Sequence, residues 1–213
     1  MAAPILLSTL DLALPGATYA GPMLDDIDTA EATPMDVWAT VVDVNGFIAF
    51  GGALHVRGIC FEPSWHSLGA AWTGERALHR LFPAIQPEDV PFAQDALGNQ
   101  FVLREERVWF MEGETGELHS LGFDIQDWLA ALIASPGNFL PLHVLEQFRA
   151  GGDELRPGYL LSAYPPFCAK ESADGVSLRA IPIDERLGFL AALAAQLTTL
   201  PDGSRVRIAT LGG

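Results

Sequence analysis

Apolar positions along this chain follow two periods, and the change from one to the other predicts an α+β fold. Ile125, Trp128, Leu129, Leu132 and Ile133 recur at i, i+3, i+4, i+7 and i+8, one continuous stripe of a helix. Asp124 and Asp127 stand at its start, where the positive end of the helix dipole favours acids, and Ser135-Pro136-Gly137 stops it. Just upstream, short apolar runs at 101–103 and 108–111 flank the charged tetrapeptide Arg104-Glu105-Glu106-Arg107, the pattern of a hairpin. Glu114-Thr115-Gly116 supplies the next turn before a third strand at 118–121.

The same reading extends to both sides. Thr33, Pro34 and Asp36 open a helix carrying Val37, Trp38, Val41 and Val42 on one face, with a strand as the alternative because of its β-branched residues. Asn45-Gly46 ends it, and 47–59 reads as strand with a kink at Gly51-Gly52. Residues 60–74 read as loop, Thr73 as the cap of a short helix over 75–82, and 83–95, with three prolines, as irregular chain over the sheet. Helices follow at 141–150 and 182–200, strands at 158–163 and 177–181, and a last strand at 205–209 after Pro201-Asp202-Gly203. The expectation is one α+β domain with a mixed, largely antiparallel sheet flanked by helices, preceded by an N-terminal arm over 1–32.

Length and composition fit that picture. The 213 residues are 49% hydrophobic and 18% charged, which argues for a packed core and against disorder. The apolar runs are too short to cross a bilayer. The start of the chain lacks Lys or Arg, and Asp11 interrupts its apolar part, so an arm is expected there in place of a secretory signal. Two cysteines in no scaffold spacing point to a reducing cytoplasm.

Charge changes the picture more. The formal net charge is −15, residues 1–56 contain no Lys or Arg, and 85–128 carry ten acids against Arg104 and Arg107. Such a field repels nucleic acid and anionic membranes and attracts a basic protein surface.

Catalytic and metal chemistry find little purchase. No GxxxxGK[ST], helix-opening GxGxxG, GxSxG, HExxH or CxxC spacing occurs, and the five histidines are scattered singly. No catalytic residue, metal site or cofactor is expected. Trp65, His66, Trp72 and Cys168 remain as the candidates for a small-ligand or enzymatic pocket. A scaffold role is the third alternative.

The order of parts from 91 to 133 resembles the SMI1/KNR4 family, the core of the SUKH superfamily. The matching pieces are the Pro-Phe approach to Asp95-Ala96-Leu97-Gly98-Asn99-Gln100-Phe101, Val108-Trp109-Phe110, the Glu114-Thr115-Gly116 turn, and the helix start at 123–129. The resemblance implies that 33–213 is a SUKH-like α+β domain, and that the chain is a non-catalytic binding protein of the kind that neutralises bacterial toxins. It brings no catalytic residues. With the acidic field, it makes a basic toxin, of nuclease type, the expected partner. The turn acids Glu105, Glu106, Glu112, Glu114 and Glu117 are the expected contact residues.

Overall fold

The protein is described by a computed structural model covering residues 19–21, 23–41 and 44–201. Most of the expected arm and the expected strand at 205–209 lie outside these residues. Seven strands lie side by side in chain order: β1 (Tyr19–Ala20), β2 (Phe47–Ala49), β3 (Leu54–Val56), β4 (Val90–Asp95), β5 (Gln100–Arg104), β6 (Arg107–Met111) and β7 (Leu118–Ser120). Each strand pairs antiparallel with the next. A second antiparallel pair, β8 (Tyr159–Tyr164) with β9 (Ser177–Pro182), completes the strands. Among the described residues the one parallel contact is an isolated bridge between Gly58 and Ser67.

The helices are α1 (Ile27–Ala32), α2 (Met35–Val41), α3 (Leu68–Trp72), α4 (Leu78–Leu81), α5 (Ile125–Ala134), α6 (Leu142–Ala150) and α7 (Ile183–Leu197). The period of two along β5 and β6 divides them between two faces of the sheet. Phe101, Leu103 and Val108 join Trp128, Leu129 and Leu132 of α5 and Val144, Leu145 and Phe148 of α6 in one core. Val102 and Met111 point the other way, into a second core with Leu187 and Leu190 of α7 and Leu78 of α4. The chain is a single α+β domain whose sheet is covered on both faces. The α5 stripe is capped by Asp124, which accepts the Asp127 N–H at 2.9 Å, and Trp128 packs edge-on against Phe92.

Four expectations need correction. The stretch 83–95 is irregular only in its first half; its second half is β4, a fully buried strand with neighbours on both sides. Its proline is tolerated because the β4–β5 register shifts between Val90 and Ala93, so Pro91 sits where no ladder N–H is required. Residues 60–74 contain α3, whose N-cap Ser67 accepts the Ala70 N–H at 3.0 Å. Thr73 closes that helix; it does not open the next, and α4 begins only at Leu78. Within the stretch read as extended arm, Asp26 nucleates α1 by accepting bonds from the Thr29 N–H and hydroxyl.

Candidate functional site

The five glutamates expected to form one contact surface occupy opposite ends of β6, a strand of five residues spanning about 17 Å. Glu105 and Glu106 make the two-residue turn between β5 and β6, closed by the Arg104–Arg107 pair. Both are exposed, and both are left-handed, with φ of 49° and 61°. Two positive φ values are what the tight hairpin turn with the matching twist requires, and Asn-Gly is the usual solution. Arg104 does little to neutralise this tip. Its guanidinium forks onto Asp89, with Nε–Oδ1 at 2.8 Å and Nη2–Oδ2 at 2.6 Å, and lies over the Trp109 ring. The Asp89 bond holds the Arg104 guanidinium above its ordinary range.

At the other end, Glu112 and Glu117 are exposed, but Glu114 turns inward. Its Oε2 accepts the Cys168 N–H at 2.8 Å, and its Oε1 lies 3.6 Å from Nη2 of Arg186. Arg186 is fully buried on α7 and gives further hydrogen bonds to the Leu97 carbonyl and the Ser162 hydroxyl. Burial pulls its guanidinium below the ordinary range, and Glu114 pulls it back. The family-like loop feeds the same knot. Asp95 accepts the N–H groups of Leu97 and Asn99 and the Asn99 amide, while Asn99 accepts the Gly113 N–H at 2.8 Å. The Asp95–Asn99 loop is therefore a fastener between the β4–β5 and β6–β7 turns. Burial raises the Asp95 carboxyl to about 6 despite these bonds.

The four residues considered for a small-ligand pocket go to different places. Trp72 donates to the Pro87 carbonyl. Cys168 sits beside Glu114, where partial burial and that carboxylate push its thiol up to about 11. Burial raises the other thiol, Cys60, to about 12. His66 is buried and bonds Asn45 and His55, with Trp65 packed against both imidazoles. A cleft nearby reaches His55 and Gln94 between Ile48, Arg156 and Tyr159, but holds only about 20 Å³, room for about one water molecule. None of the four lines it.

A buried polar row that the sequence motifs do not announce crosses three strands on the α7 face. His55 of β3 lies opposite Gln94 of β4, which lies opposite Gln100 of β5. Arg57 donates to both glutamines and to the Pro91 carbonyl. Gln94 in turn donates to Nδ1 of His55 at 3.0 Å, and Nε2 of His55 meets Nδ1 of His66 at 2.8 Å. His66 Nε2 ends the row on the Asn45 carbonyl, which can only accept. That end fixes the direction: both imidazoles are neutral, with the proton on Nε2. Burial lowers the proton affinity of each, His55 well below its ordinary value. Gly58 lets the chain pass so close, since a Cβ there would overlap the Asn45 carbonyl and His66. The available signal was the alternation of Leu54 and Val56 with His55 and Arg57, which puts polar side chains on the second buried face.

Among the described residues no group of three or more His, Cys, Asp or Glu is placed to hold a metal, and no helix is long and apolar enough to cross a membrane. No protein-family model, curated protein or solved structure matches the chain.

Proposed function

We propose that this chain is a non-catalytic, cytoplasmic protein-binding module whose acidic surface takes a basic partner. An immunity protein for a basic, nuclease-type toxin is the specific form that its SMI1/KNR4-like motif favours. The observation that carries the reading is the β5–β6 turn. Two glutamates occupy both left-handed positions, at a cost of about 1 kcal/mol each. Folding does not call for them, because Asn-Gly would close the same turn without that cost. A pair of carboxylates held at a tight turn, with one of its two flanking arginines, Arg104, committed to Asp89, is what a basic partner would select.

The interior supports the same reading. Each ring nitrogen of His55 and His66 is engaged, and both thiols are held protonated at neutral pH. Glu112 and Glu117 extend the acidic surface at the far end of β6, while Glu114 serves the interior.

Replacing Glu105-Glu106 by Asn-Gly is expected to raise folding stability by about 1–2 kcal/mol and to weaken partner binding. The direct test is calorimetric titration of the protein encoded by the neighbouring reading frame, at low and at high salt. Binding should fall steeply with salt and drop at least about tenfold in Glu105→Lys/Glu106→Lys. Affinity indifferent to both salt and charge reversal would remove the acidic-turn reading.

A further inference from the structure

A second surface, remote in sequence from the β6 turns, carries a sharper signature. Nine large hydrophobic residues are exposed among the described residues, and five of them are Met23, Leu24, Ile27, Met35 and Phe61. The hydrogen bond from the Phe61 N–H to Asp25 Oδ1 at 2.9 Å joins the 23–27 segment to Phe61. Helices α1 and α2 follow each other with only Thr33 and Pro34 between them.

The amphipathicity of α1 is inverted. Its most buried positions are polar: the N-cap Asp26 and Thr29 are buried, bonded to each other, and pack where a side chain at Gly69 would clash with them, and only the small Ala30 packs against the apolar core. Its apolar Ile27 is 64% exposed, as are Met23, in the segment before the helix, at 89% and Met35, at the start of α2, at 77%. Burial in this chain's own core therefore explains none of these three. Methionines on an exposed face suit a surface that repacks around a partner.

The rim decides what kind of partner. Asp25, Asp28, Glu31 and Glu62 are exposed around these residues, and no Lys or Arg occurs before Arg57, which is itself buried. A second copy of this chain would bring another −15 to the contact. Of the chain's own segments outside the described residues, 1–18 contain no Lys or Arg to meet the rim and 202–213 only Arg205 and Arg207. We infer that the surface formed by α1, the start of α2 and Phe61 docks a basic amphipathic protein segment, its apolar side chains on Met23, Ile27, Met35 and Phe61 and its Lys or Arg on the acidic rim. This surface is distinct from the Glu105-Glu106 tip and does not depend on it.

The test titrates the isotopically labelled full chain with a helical Leu/Lys peptide, using its Leu/Glu counterpart as control. The Leu/Lys peptide is expected to bind and the Leu/Glu peptide not to. Amide shifts should concentrate at 23–36 and 61. Ile27→Ser/Met35→Ser and Asp28→Lys/Glu31→Lys should each weaken binding at least about tenfold, and both alter exposed side chains only. Glu105→Lys/Glu106→Lys should leave it unchanged, which separates this surface from the turn. Absence of binding, equal binding by the two α1–α2 variants and the wild type, or shifts centred on the 105–106 turn would overturn the inference. So would a wild-type dimer in sedimentation that Ile27→Ser/Met35→Ser dissociates, since a second copy would then be the occupant.

Discussion

Glu114→Ala is expected to remove about 3–5 kcal/mol of folding stability. The carboxylate faces a guanidinium buried to 99% of its side chain, at 3.6 Å, and also accepts the Cys168 N–H. Without it, Arg186 keeps its charge in the core with hydrogen bonds to the Leu97 carbonyl and the Ser162 hydroxyl, the Phe189 ring beneath it and the Asp95 carboxylate as its remaining opposite charge. Nη2 of Arg186 and Oε1 of Glu114 have no hydrogen bond apart from their mutual attraction, so the two groups are tightly interdependent. Arg186→Met should be less costly than Glu114→Ala, and the double variant Glu114→Leu/Arg186→Met should lose much less than the sum. Urea unfolding of the four proteins checks this. A loss below about 1 kcal/mol for Glu114→Ala, or additive losses in the cycle, would show that the pair does not hold the turn. Charge reversal at Glu114 therefore reads out folding, and tests of the acidic surface belong on Glu105, Glu106, Glu112 and Glu117.

Acidification from pH 7.5 to 5.5 is expected to destabilise the protein. Both imidazoles of the buried row bind protons less readily in the folded chain than at the unfolded value of 6.5. Stability from a depressed group is fully present above the unfolded pKa and is lost as pH falls below it. Each histidine can contribute about 1.4 kcal/mol per pH unit in that window. Asp95 acts with the opposite sign. Its folded carboxyl titrates near 6 against 3.8 unfolded, so the folded state takes up that proton first and gains stability as pH falls through this range. Two histidines outweigh one carboxylate, and the loss should set in as pH falls below 6.5. Unfolding midpoints across the range test this, with His55→Gln/His66→Gln flattening the slope whatever its baseline stability. A flat wild-type profile would contradict neutral, buried imidazoles.

The α5 stripe shows how local chemistry can settle an element. Ile125, Trp128, Leu129 and Leu132 at helical spacing, headed by an N-cap aspartate, are sufficient for a helix wherever it docks, and all four are buried. The Arg104–Arg107 hairpin is equally local: two apolar runs separated by a charged tetrapeptide fold back on each other through the two-residue Glu105-Glu106 turn. β4 was not legible, because three prolines within 83–91 argue against a strand, and only the bulge opposite β5 makes room for Pro91. α1 was hidden for a related reason, since its buried position is the polar Thr29 and only the small Ala30 joins the core beside it, so it presents no stripe.

The candidate site divides in the same way. From sequence alone came the acidic character, the exposed Glu105-Glu106 tip and the Asp95–Asn99 loop, because charge and turn chemistry belong to neighbouring residues. Tertiary structure decided that Glu114 serves Arg186, 72 positions away, that Cys168 joins it, and that His55, Gln94 and His66 form one row. Those assignments depend on which buried polar groups meet, and burial leaves each no partner but the one the fold brings to it.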